Sequence, residues 1–172
     1  MTKFLKITAA VVALAASAAP AYAQASASTS ANATTRIIQA ISISKTADMA
    51  FGNVVKPSSG NGTYTIGNGA DTISVSGTGA AAASGTTSRA KFTVTGEGGQ
   101  TFAITVPATM TMTSGANNIT VNLTTAAATG TISGSLGSTG NAALNVGGNF
   151  TIANTQASGD YTGSFNVTVA YN

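Results

Sequence analysis

The chain is 172 residues long, only 6% of them charged, and it contains no histidine, cysteine or tryptophan. That set rules out a serine–histidine or cysteine–histidine nucleophile, an ordinary zinc centre and a disulfide framework. Seven Lys and Arg against four Asp and Glu leave a net charge of +3, with no basic cluster beyond Arg89 and Lys91, so the sequence offers no footprint for nucleic acid.

Taken from the N-terminus, Met1 to Ala23 reads as a secretory signal peptide. Lys3 and Lys6 form a basic n-region, Ile7 to Ala19 is an apolar run, and Ala21-Tyr22-Ala23 is a small-x-small cleavage site. The apolar run is short for a membrane span and is followed by Pro20 and polar residues, so the mature chain is expected to begin at Gln24, outside the cytoplasm and without a span. Removal of Lys3 and Lys6 leaves five cations against four acids, a net charge of +1. Without cysteine in an oxidising compartment, packing and strand pairing alone must hold the domain.

The rest of the composition, rich in Ala, Gly, Ser, Thr and Asn and poor in helix formers other than Ala, points to an all-β domain of short strands between Gly and Asn turns. Residues 24–36 form an N-terminal extension of small residues that alternate with period two. Ala25, Ala27, Thr29, Ala31 and Ala33 fall on one face. Such a segment is either a loose leader or a strand that orders only beside another chain. A few alanine methyls contribute only a few kcal/mol at about 0.8 kcal/mol per buried carbon, so backbone pairing would supply most of the affinity.

The β-sandwich domain is expected over 37–172. Its first strand reads as Ile37 to Ile43, with Ile37, Ile41 and Ile43 inward, although a longer extension would claim Ile37 instead. A short strand around Met49, Phe51 and Val54 follows. Asn61-Gly62 and Asn68-Gly69 suit positive-φ turns bracketing a strand at Thr63 to Ile66. Thr72 to Ser76 is the next strand, and Gly77 to Thr87, with four consecutive alanines, reads as a mobile low-complexity loop. Lys91 to Thr95 and Thr101 to Val106 read as a hairpin around Gly96-Glu97-Gly98-Gly99, ended by Pro107. Met110 to Thr113, Ile119 to Leu123, Gly130 to Leu136 and Ala143 to Ile152 complete the series before the terminal stretch.

That terminal stretch, Gly159 to Asn172, alternates up to the chain end. Tyr161, Phe165, Val167, Val169 and Tyr171 share one face, while Thr162, Ser164, Asn166 and Thr168 share the other. A strand in last place has no following partner, so one of its edges must be completed from far away in the chain or by another chain.

The glycine fourteen residues from the end, Gly159, and the penultimate Tyr171 resemble the C-terminal pattern of chaperone-usher pilus subunits of the spore-coat-U-like, archaic type. Asp48-Met49-Ala50-Phe51-Gly52 is similar to a segment near the start of those pilins. Together with Phe92 to Ile104 and the closing strand, it also resembles the secreted family known as domain of unknown function 4402. The resemblance implies an immunoglobulin-like antiparallel β-sandwich completed by a donated N-terminal strand. It implies polymerisation by donor-strand exchange into a surface fibre, with a periplasmic chaperone and an outer-membrane usher as partners on the way out. The donor would be Ala25, Ala27, Thr29, Ala31 and Ala33. The acceptor groove would be lined by Gly159, Tyr161, Phe165, Val167, Val169 and Tyr171. The absence of cysteine departs from the disulfide of many pilus subunits.

No enzyme activity, cofactor or metal is expected. The four acids are widely spaced in sequence; a carboxylate pair such as Asp48 with Asp71 would have to assemble in space, and these residues read instead as solvated turn residues. The other reading is a self-contained secreted binding module or adhesin that recognises glycan or matrix through its loops. It is disfavoured because Tyr64, Tyr161 and Tyr171 fall mainly on inward faces.

Overall fold

The computed structural model describes residues 26–172. The expected signal peptide, Gln24 and Ala25 lie outside the described residues. The chain divides at Thr35/Arg36 into two units. Residues 26–35 belong to the first, carry no strand and are exposed.

All the strands belong to Arg36–Asn172 and, among the described residues, there is no helix. In chain order they are β1 (Ser42–Ala47), β2 (Ala50–Phe51), β3 (Val54–Val55), β4 (Asn61–Ile66), β5 (Ile73–Ser76), β6 (Ala81–Ala82), β7 (Thr87–Ser88), β8 (Ala90–Glu97), β9 (Thr101–Thr105), β10 (Thr109–Ser114), β11 (Asn117–Thr125), β12 (Thr129–Thr131), β13 (Thr139–Ala153) and β14 (Thr168–Tyr171). Every pairing is antiparallel, and the architecture is that of an all-β sandwich curled towards a half-barrel.

The fifteen-residue β13 is the spine. Thr139–Val146 pairs with β8, and Gly148–Ala153 pairs with β4. On the opposite edge, Val146–Phe150 pairs with β11, so β8 and β4 lie end to end along one side. Gly147 stands at that junction. A Cβ there would come within 2.5 Å of the Ile66 carbonyl oxygen and 2.6 Å of the Asn68 nitrogen, closer than any real Cβ contact.

The spine carries two apolar cores in succession. Phe51, Tyr64, Ile66, Met110, Ile119, Val121, Phe150 and Ile152 form one. Val94, Phe102, Ile132 and Leu144 form the other. In the first, the Phe150 ring stacks on Tyr64 at 5.0 Å and meets Phe51 edge-on at 4.9 Å. The buried Tyr64 hydroxyl donates to the Val55 carbonyl, and burial raises its pKa above the usual phenol value.

Several expectations are corrected. The chain does not enter a strand at Ile37. The ladder with β8 starts at Ser42 opposite Thr95, because the Gln39 N–H is captured by the Glu97 carboxylate, and Ile37 is left 91% exposed. Asn61 and Gly62 begin β4, and the positive φ falls on Gly60; neither Gly62 nor Gly69 has a positive φ. The Gly77–Thr87 stretch is tied down, with β6 pairing β3, Thr87 in β7 pairing β2, and the Asn53 N–H donating to the Ser84 carbonyl at 2.6 Å.

Strands β8 and β9 are not a hairpin. Both edges of β8 are taken by β1 and β13, so the chain crosses at Gly96–Gly99 into a second sheet, ordered β12-β9-β14. There the Gly98 N–H donates to the Ser138 carbonyl and the Gly99 N–H to the Ile132 carbonyl.

Phe150→Ala is expected to lower unfolding free energy by about 3–5 kcal/mol, read by urea titration, since it empties the centre of the first core. Gly147→Val should cost about 1–3 kcal/mol through the backbone clash.

Candidate functional site

The segment from Gly159 onward is a single extended run in sequence but not a continuous strand in space. It meets the fold at two places. The Thr113 N–H donates to the Thr162 carbonyl at 2.8 Å and the Thr162 N–H to the Thr113 carbonyl at 3.1 Å, in register with β10. Further on, β14 pairs with β9, Thr168 opposite Thr105 and Tyr171 opposite Phe102. Strands β9 and β10 are consecutive, so the segment runs antiparallel along both, and the pairing lapses where Pro107 separates them. Gly163 permits the close approach, because a Cβ would lie 2.4 Å from the Thr111 carbonyl oxygen. This corrects the expectation of one uninterrupted strand.

On its other side β14 has no hydrogen-bonded strand, and it ends its sheet. Strand β1 likewise ends the larger sheet. The apolar row of the terminal segment points inward as its alternation requires, yet Tyr161, Phe165, Val167, Val169 and Tyr171 are all only half-buried. Tyr161 and Phe165 pack on the first core; Val167, Val169 and Tyr171 pack on the second, against the same residues that receive Ile41 and Ile43. Phe165 also meets Phe92 edge-on at 6.4 Å. Two sheet edges therefore flank one incompletely covered interior.

The two ends of this region differ. At the Tyr171 end it is closed by a clasp. The Tyr171 hydroxyl donates to the Gln39 carbonyl at 2.9 Å and accepts the Glu97 N–H at 2.7 Å. The Glu97 carboxylate, 4% exposed, accepts the Gln39 N–H at 3.2 Å and the Gly137 N–H, while Thr139 Oγ1 donates to Gln39 Oε1 at 2.6 Å. Fixed donors on both carboxylate oxygens satisfy a charge that would otherwise be costly to bury.

At the Tyr161 end the region opens into a cleft of about 490 Å³ between Met49–Val54 and Gln156–Tyr161. Met49, Phe51, Met112, Ile119, Phe150 and Ile152 line its apolar part, and Lys56 and Asp160 stand among its polar lining residues.

Five other charged side chains are engaged elsewhere. Asp48 is held by Lys45 at 2.5 Å. Asp71 accepts from Lys91 Nζ at 2.6 Å and from the Arg89 N–H at 3.3 Å, and lies 3.6 Å from Arg89 Nε. The Lys91 hydrogen bond above all holds the Asp71 carboxyl below its ordinary pKa near 3.8.

Of the expected donor residues, Ala27, Thr29, Ala31 and Ala33 are exposed and outside any strand, and Ala25 lies outside the described residues. Sequence reasoning missed the clasp. Its only trace is a lone acid in a glycine run, which reads as a turn until Tyr171 and Gln39 are brought to it.

The fold and this site define a class: an antiparallel β-sandwich whose last strand is an open edge over a half-covered apolar interior. The chain belongs to the family described as Domain of unknown function (DUF4402), which matches residues 41–171. No curated protein and no solved structure matches it significantly.

Tyr171→Phe keeps the ring but strands the Gln39 carbonyl and the Glu97 N–H, and is expected to cost about 1–3 kcal/mol by urea titration. Asp71 has a depressed folded-state pKa, so its stabilisation is present above the ordinary carboxylate value and is lost as pH falls through the folded one. Asp71→Asn should therefore lower Tm slightly at neutral pH, with the difference from the parent vanishing as pH falls below 3.8, a small effect because the side chain is 41% exposed.

Proposed function

We propose that this protein is an exported structural subunit of a surface fibre. In this reading copies polymerise by donor-strand exchange, the extension of residues 24–36 from one copy adding along the outer edge of the terminal strand of the next. The observation that carries the reading is the state of that edge. β14 has a partner only on the β9 side, and the apolar row beneath its free side is half-covered from Tyr161 to Tyr171. An edge strand with free N–H and C=O groups above apolar surface is the setting in which an added strand gains both backbone pairing and burial.

The donor is suited by length as well as by alternation. Antiparallel addition along Gly159–Tyr171 needs about a dozen residues, and residues 26–37 supply that number. Small side chains at Ala27, Ala31 and Ala33 fit a narrow groove, and the exposed Ile37 offers bulk at the end nearest the domain. Export passes through the periplasm, where a chaperone shields the same edge and an outer-membrane usher receives the subunit, and the product is a fibre on the cell surface. No catalytic step enters this reading.

The test compares the secreted protein with a version lacking Gln24–Thr35, by unheated against boiled denaturing gels and by negative-stain microscopy of the sheared surface fraction. A detergent-resistant ladder and thin fibres only when the segment is present is the expected result. Compact monomers from both versions would overturn the reading.

A further inference from the structure

Among the described residues four large apolar side chains are exposed: Ile37 at 91%, Ile38 at 38%, Val55 at 46% and Leu136 at 48%. Three of them gather at one end of Arg36–Asn172, and the buried Glu97 is the reason. Its carboxylate holds the Gln39 N–H and the Gly137 N–H, and Ile38 and Leu136 are the residues directly before those two. One acid thus pins two separate chain segments and leaves their apolar side chains facing outward beside Ile37.

The fourth exposed side chain, Val55, lies at the other end, next to Val54 in the lining of the 490 Å³ cleft. The knob and the cleft are complementary in character and cannot meet within one chain. β13 runs from Thr139, opposite Glu97, to Ala153, opposite Asn61, a span of about 45–50 Å at roughly 3.3 Å per residue. The charges beside them allow the contact. Arg36 precedes the knob, and the cleft lining carries both Asp160 and Lys56. Exposed apolar surface of this kind marks an interaction site. Unlike surfaces at opposite ends of one molecule make a heterologous contact that continues as an open row.

We propose that Ile37, Ile38 and Leu136 form an apolar knob that packs into the Met49–Tyr161 cleft of a second copy of this chain, so that successive domains meet end to end. The contact rests on the fibre reading, in which copies follow one another head to tail, and adds to it a domain-to-domain surface centred on Leu136, which is not part of the extension. Glu97 is the positioning residue of that surface, since it holds both segments of the knob in place.

The test exploits the absence of native cysteine. In the full mature chain, Leu136→Cys marks the knob, and Ser158→Cys, at an exposed cleft position, marks the partner surface. With a short bismaleimide, an equimolar mixture of the two single variants should give covalent dimers and the double variant a ladder, while each single variant alone stays monomeric on a boiled gel. Absence of cross-linking in the mixture, or equal cross-linking of each single variant with itself, overturns the proposal. A detergent-resistant ladder without cross-linking sinks the knob and leaves strand exchange intact. Cross-linking of the mixture without a detergent-resistant ladder supports the end-to-end contact and removes strand exchange. Ile38→Ser with Leu136→Ser, both on exposed side chains, should lower the assembled fraction at least tenfold without lowering Tm; an unchanged fraction also overturns it.

Discussion

The constraint on which this fold depends is that its last strand is hydrogen-bonded along one edge only. The segment from Gly159 spends one edge on β9 and β10, and its inward side chains are shared between both cores, yet no strand among the described residues pairs with its other side. Backbone groups along an exposed edge are satisfied by water at little cost, but half-covered valine and aromatic side chains are not. Against this imbalance stand the centres of the two cores, which are fully buried. Tyr64, Ile66, Val94, Val121 and Val146 have no exposed surface at all, while the terminal row stays intermediate throughout.

Closure at one end follows from the same economy of groups. The Tyr171 hydroxyl reaches across to Gln39 and to the backbone of Glu97, and the carboxylate of Glu97 secures the chain on either side. The arrangement uses the single buried charge among the described residues as a node joining the start of the domain, the crossing between sheets and the final strand. In a protein without disulfides, it does the work of a cross-link by hydrogen bonding alone.

Much of this was legible in the sequence, and the limits were physical. Alternation located the terminal row, the β10–β11 pair and most strand positions, because period-two patterning reports which side chains face inward. Pairing partners were not legible. Phe92–Val94 and Phe102–Ile104 look like two arms of a hairpin, since local pattern is silent on whether β8 has a free edge left for β9. Ile37 looks like core for the same reason. Its apolar character fits a strand, and only the competition of Glu97 for the Gln39 N–H ends the ladder before it. The turn glycines were misplaced by two residues near Gly60 because Asn-Gly is a preference of turns and not a property of the backbone that follows.

The length of β13 also has a mechanical meaning. Its ladders with β8 and β4 run in succession along the long axis of the sandwich, and the terminal segment lies antiparallel along β9 and β10. A pull applied between the two ends of the domain would load those hydrogen bonds in shear, many at once, instead of peeling them one after another. The unbroken spine thus makes tension along this axis the direction in which the fold resists rupture most strongly.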